Sequence, residues 1–165
     1  ESPVDKCLLY RPGLICVIYV NDCGAAAPTR KELDDFVQEL RDLKFDLDIE
    51  DNFASYLGIS IEAFPDNTRH MTQKGLINRI IDTTGLTGCN PNWTPTTQVA
   101  LAKDPEGEPY DNKEWSYSSV VGMLLYVSNN TRPDITFAVS QVARFTANPK
   151  TVSYTHLTLP TILLV

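Results

Sequence analysis

Leu14-Ile15-Cys16-Val17-Ile18-Tyr19-Val20-Asn21-Asp22 decides how the chain is read. An apolar, β-branched run of strand length stops at two turn formers, Asn21 and Asp22. Cys23-Gly24-Ala25-Ala26-Ala27 can return beside it as a second strand. The expectation is a β-hairpin whose tip presents Asn21 and Asp22.

Outward from this hairpin the pattern turns helical. Thr29-Arg30-Lys31-Glu32 has capping-box spacing, and Leu33, Phe36, Val37, Leu40 and Leu43 recur at helical intervals behind it. This predicts an amphipathic helix over residues 29–43, with Asp34, Asp35, Glu39 and Asp42 on its solvated face. Short strands are expected over 45–62, because Phe45, Leu47 and Ile49 alternate with acidic residues and Tyr56-Leu57-Gly58-Ile59-Ser60-Ile61 is β-rich. Pro65-Asp66-Asn67 marks a turn, from which Arg69-His70-Met71-Thr72 can pair back. Leu76, Ile77, Ile80 and Ile81 give a short helix closed by Gly85. Residues 87–112 lack periodicity and are rich in Pro, Gly, Asn and Thr, which suggests a junction between subdomains.

Two further helices follow. One covers about residues 114–127, with Tyr117, Val120, Val121, Leu124 and Leu125 inward. The other starts at Arg132-Pro133-Asp134, buries Ile135, Val139, Val142 and Phe145, and ends by Pro149. Beyond Lys150, Tyr154-Thr155-His156-Leu157-Thr158-Leu159-Pro160 leads into an uncharged apolar end. Residues 151–165 are read as a non-native tail resembling translated adapter sequence, a terminal strand being the alternative. The fold class is α+β.

The 165 residues suffice for one domain or part of a larger one, and 42% hydrophobic with 21% charged residues is globular composition. A net charge of -7 argues against the whole chain acting as a nucleic-acid clamp, which needs clustered Lys and Arg. Cys7, Cys16, Cys23 and Cys89 form no C-x-x-C pair and only His70 and His156 accompany them, so no structural zinc site is expected. Cys16 and Cys23 read as small core residues carrying reduced thiols, which suits a reducing compartment. Glu1-Ser2-Pro3-Val4-Asp5 is acidic and lacks an apolar run, so no signal peptide is expected there, and no stretch is long and apolar enough for a bilayer span.

The order of motifs names a family. Residues 13–22 resemble the copia-type segment that ends in Tyr-Val-Asp-Asp. Phe36, Glu39-Leu40 and Phe45-Asp46-Leu47 follow, and Tyr56-Leu57-Gly58-Ile59 is similar to that family's Phe-Leu-Gly-Ile strand. Gln73, Thr94-Pro95, Tyr117, Val121-Gly122-Met123-Leu124-Leu125-Tyr126, Thr131-Arg132-Pro133-Asp134-Ile135 and Phe137-Ala138-Val139 complete the series. Over residues 5–150 the chain thus resembles the reverse transcriptase of copia-type LTR retrotransposons, the RNA-directed DNA polymerase of the Pol polyprotein. The late pair of motifs is more specific than the turn.

The resemblance implies a distal palm and primer-grip-like region over residues 1–86, a linker over 87–113 and thumb- or connection-like helices over 114–150. Asp22 corresponds to the second carboxylate of the catalytic turn and would be a Mg²⁺ ligand. Two such ions, about 3.5–4 Å apart, activate the primer oxygen and stabilise the leaving pyrophosphate. Tyr19 and Val20 would lie near the primer terminus. Tyr56, Leu57 and Gly58 would grip the primer, Gly58 permitting close backbone approach; a bulged core strand is the plainer alternative. Arg132, Arg144 and Lys150 could meet phosphates or cap acidic neighbours, a solvated role being the simpler one. The parent enzyme would use a template-primer of RNA or DNA and deoxynucleotide triphosphates. It would act in the cytoplasm, within virus-like particles, beside the integrase and RNase H of the same polyprotein.

Two departures bear on activity. The family's first palm carboxylate lies upstream of the residues present, and Asn21 occupies the position of the first Asp of the turn. An amide keeps one oxygen ligand but removes a negative charge. Losing about 3–4 kcal/mol of transition-state stabilisation slows a reaction roughly 10²–10³-fold. The chain is therefore expected to be an inactive polymerase fragment. Two other readings are open: a small acidic α+β binding or scaffold domain with an ordinary Asn-Asp turn, and a host-adopted retroelement domain.

Overall fold

A computed structural model describes residues 1–50, 53–90, 101, 106–109 and 114–150. The chain divides into two compact units, Glu1–His70 and Met71–Val165. The helix after Met71 contributes Ile80, and the segment just beyond it Leu86, to the core of the second unit.

The first unit opens with a three-stranded antiparallel sheet of β1 (Leu8–Arg11), β2 (Leu14–Tyr19) and β3 (Asp22–Ala26). Ile15 faces Ala26 and Tyr19 faces Asp22, so the expected hairpin forms with Val20-Asn21 as a two-residue loop. Helix α1 (Arg30–Asp42) starts at Thr29, whose hydroxyl accepts from the Glu32 amide while the Glu32 carboxylate accepts from the Thr29 amide. Its end is a Schellman turn: Lys44 takes φ 66, the Lys44 amide donates to Arg41 and the Phe45 amide to Leu40. No residue of α1 is fully buried.

The strand expected at residues 45–49 is absent. Phe45 is consumed in closing the helix, Asp46, Asp48 and Glu50 are exposed, and residues 43–50 carry no ladder. Strands begin at β4 (Ser55–Tyr56) and β5 (Ile59–Ala63), and β6 (Arg69–Thr72) completes a second sheet in the order β4-β5-β6. The turn at 64–68 forms as expected, with Asn67 at φ 66 and the Thr68 hydroxyl and amide donating to Asp66.

The second unit is helical. Helix α2 (Lys74–Thr84) ends on Gly85 at φ 70. Helix α3 (Tyr117–Asn130) begins after Ser116, whose hydroxyl accepts from the Ser119 amide, three residues later than the apolar pattern suggested. Pro133–Ile135 forms a 3-10 turn leading into α4 (Thr136–Ala143). The core joins Ile80, Leu86, Leu101 and Trp115 to Tyr117, Val120, Val121, Leu124 and Val127 of α3, and to Ile135, Ala138, Val139 and Val142. Leu125, expected inward, is 39% exposed, and Val127 takes the buried place. The helical period of 3.6 residues carries the stripe from Leu124 to Val127 and Ser128, past Leu125.

Most of the expected 87–113 loop lies outside the described residues. Of those described, Leu101 is buried with its amide on the Gln141 side-chain oxygen at 3.4 Å, and Pro109 bridges to Lys150. The proposed tail, 151–165, lies outside the described residues, as does Thr94-Pro95. Among the described residues no helix is long and apolar enough to cross a membrane.

Candidate functional site

The hairpin tip lifts its side chains into solvent. Tyr19 is 56% and Val20 81% exposed, and Asn21 and Asp22 are exposed too. Because Tyr19 and Asp22 are paired, the loop must reverse the chain in two residues, and Val20 does so at φ 53. A β-branched residue in the left-handed region is a steric outlier, so strain sits at the hairpin tip.

Tyr56, Leu57 and Gly58 are not one strand. Tyr56 pairs with Ile59, and Leu57 and Gly58 form the two-residue turn between β4 and β5 at φ 50 and 76. Positive φ at both positions is the signature of a type I′ turn. Nothing in the protein lies within 4 Å of where a Gly58 Cβ would stand, and its φ of 76 suits the turn. The continuous β-run expected over residues 56–61 is thus broken by a hairpin turn, which also replaces the bulged-strand alternative.

The structure does bring Tyr56 towards the first hairpin. Its hydroxyl is shielded from solvent and finds no hydrogen-bond partner among the described residues. Burial, and then the nearby Asp22 carboxylate and the Cys23, Cys16 and Cys7 sulfurs, push its ionisation above the usual phenol range. Phe53 leans on Tyr56 with ring centroids 5.6 Å apart and also touches Gly24, where a Cβ would meet the Phe53 ring at 3.0 Å.

The donor set at the tip falls short of a two-cation centre. It offers one carboxylate, Asp22, and one amide oxygen, Asn21, and among the described residues no group of three or more His, Cys, Asp or Glu side chains converges on a common point. Hard divalent cations take six or more oxygen ligands, with carboxylates supplying the charge. The residues present do not fit the paired Mg²⁺ ions.

Other contacts were not foreseen. Arg11 reaches Glu39 of α1 through two parallel hydrogen bonds of 2.8 and 3.0 Å, its guanidinium 5.8 Å from the Phe36 ring centre. Both pKa values respond, Glu39 lowered and Arg11 raised mainly by their shared hydrogen bonds. Cys23 was expected in the core but is exposed, and its sulfur lies 3.1 Å from that of buried Cys16. Alternation along β2 hints at that shared face; the contact distance is not readable from sequence.

In the second unit the motif residues hold one another. Gln73 is 1% exposed, and its side-chain oxygen accepts from the Thr131 hydroxyl at 2.8 Å. Arg132 clasps Asp134 at 2.7–3.2 Å, and Ile135 is buried beside them. The Arg132 hydrogen bonds hold the Asp134 carboxyl below its usual range. Arg144 donates to Gln141 at 3.0 Å.

The chain is 27% identical over 135 residues to YCL074W of Saccharomyces cerevisiae, whose name assigns it to the transposon Ty5-1. The match takes in 82% of this chain but 43% of the yeast protein, so the chain spans less than half of that relative's length. No family model matches the chain, and no solved structure does. The likeness supports a transposon-related origin for the chain.

Proposed function

We propose that this chain is a fragment of a copia-type retrotransposon reverse transcriptase, holding distal palm, primer-grip and thumb-like elements, and that it does not catalyse nucleotide addition. The observation that carries the reading is the likeness to a transposon protein across most of the chain, together with the order of the motifs from Tyr19-Val20-Asn21-Asp22 to Thr131-Arg132-Pro133-Asp134-Ile135. In the intact parent enzyme Asp22 would help hold Mg²⁺, and Tyr19, Val20 and the hairpin at Tyr56-Leu57-Gly58 would border a template-primer of RNA or DNA. Deoxynucleotide triphosphates would be its substrates, integrase and RNase H its neighbours in the polyprotein, and the cytoplasmic particle its setting.

The inactivity follows from the donor set. A single carboxylate beside an amide cannot neutralise two divalent ions or organise the in-line displacement they support. Purified chain should therefore extend a primed RNA template in Mg²⁺ or Mn²⁺ no faster than a vector control; clear extension would overturn this. The origin is tested separately by the coding sequence around the locus. Integrase and a carboxylate-bearing palm strand in frame upstream, or RNase H downstream, are expected. An isolated intact gene with its own start would instead favour the acidic scaffold reading.

A further inference from the structure

The face of the first hairpin that buries Leu14 also carries two sulfurs. Ile18 stands opposite Cys23, and Cys16 lies two residues before Ile18, so both cysteines project to the same side of the sheet. Their sulfurs are 3.1 Å apart, both thiols are free, and only Cys23 is exposed. We propose that Cys16 and Cys23 form a peroxide-responsive dithiol that closes to an intramolecular disulfide and ties β2 to β3 beneath the Val20-Asn21 turn.

The sequence of steps follows from access. The exposed Cys23 sulfur attacks one oxygen of hydrogen peroxide; the S–O bond forms, the O–O bond breaks, and water leaves with the thiol proton. The Cys16 sulfur then attacks Cys23; the S–S bond forms, the S–O bond breaks, and the departing hydroxide takes the Cys16 proton to become a second water. Two thiols are oxidised and one peroxide is reduced to two waters. Closing the contact requires an approach of roughly 1 Å, from 3.1 Å to the disulfide bond length of about 2.05 Å. Cys16 is buried and Cys23 exposed, so Cys23 is the first of the two sulfurs that peroxide reaches. Cys89, exposed and in the second unit, serves as the internal control for indiscriminate oxidation. The inference stands independently of the polymerase reading.

The test uses the full chain, reduced and then treated with hydrogen peroxide, quenched by alkylation and read by intact mass and peptide mapping. The expected result is a loss of two hydrogen atoms, a peptide pair linked through Cys16 and Cys23, and slower amide exchange along β2 and β3. Cys23→Ser, at an exposed position, should abolish the link and leave Cys16 alkylatable once the chain is unfolded. Two outcomes would overturn the proposal. One is oxidation of Cys23 to sulfinic acid, or its pairing between chains, while Cys16 remains a thiol. The other is equally fast Cys16–Cys23 linkage in urea-unfolded chain, which would show that the folded geometry contributes nothing.

Discussion

Replacing Val20 with glycine should stabilise the first hairpin. Val20 holds φ 53 in a loop that has only two residues to turn the chain. For an L-residue that region costs about 1–2 kcal/mol, through the clash of Cβ with the backbone, and glycine removes it. Glycine brings its own penalty of about 0.4–1 kcal/mol, because the unfolded chain has more conformations to lose. The valine side chain is 81% exposed, so little burial is forfeited. The net gain is then about 0.5–1 kcal/mol, which slows local opening roughly two- to fivefold. Hydrogen exchange at the β2 and β3 amides reads this directly, with Val20→Ala as control: alanine keeps a Cβ and should recover only a small part of the gain. Faster exchange in Val20→Gly, or equal slowing in both variants, would refute the assignment of strain to the φ of Val20.

The remaining predictions concern the second unit. Leu124→Ala, at a fully buried site, should cost about 2–5 kcal/mol, whereas Leu125→Ala should stay under about 1 kcal/mol; urea unfolding followed by tryptophan fluorescence separates them, Trp115 being in the same core. Tyr117 donates its hydroxyl to the Val142 carbonyl at 2.9 Å, and burial raises its pKa from 10.0 to about 12. The neutral phenol is the form favoured by folding, so its contribution is complete below pH 10 and is lost as pH climbs through about 12. Alkaline absorbance titration should therefore show late phenol absorbance that falls by one tyrosine in Tyr117→Phe, a change costing about 0.5–1.5 kcal/mol. The Asp134 carboxyl, lowered from 3.8 by hydrogen bonds from Arg132, should titrate higher in Arg132→Gln by NMR. Its contribution to stability is present above the unfolded pKa and lost as pH falls through the lowered folded one.

Local signals were legible where one short stretch contained the whole cause. Thr29 and Glu32 cap α1 as their spacing demands, Gly85 closes α2, and Asn67 turns the chain before β6. Misreadings arose where the deciding partner was elsewhere or where two patterns competed. Phe45, Leu47 and Ile49 alternate like a strand, but closing α1 takes the Phe45 amide and no neighbouring strand supplies a ladder. Leu57-Gly58 sits inside an apolar run, and only the pairing of Tyr56 with Ile59 reveals it as a turn. At the candidate site, exposure of the tip was foreseeable from Asn21-Asp22. The approach of Tyr56 and the meeting of Cys16 with Cys23 depend on tertiary placement.

The residues that carry the family likeness and those that would carry chemistry occupy different physical situations. Val121, Leu124, Ile135 and Val139 are buried in the second unit's core, and at the corner between helices Thr131 reaches Gln73, Pro133 starts the 3-10 turn and Asp134 clasps Arg132, whereas Leu125, Tyr126 and Phe137 are exposed. Substitution at the buried positions opens cavities, and loss of the Thr131 hydroxyl strips buried Gln73 of a hydrogen bond, so packing alone gives these positions a reason for their identity. Tyr19, Val20, Asn21 and Asp22 are exposed on a hairpin tip, and packing makes no comparable demand on their side chains. Val20 even works against the turn it occupies. Residues whose identity packing explains speak for the fold, and they are silent on catalysis. An amide at Asn21 costs the fold almost nothing, while removing charge from the place where a polymerase would need it.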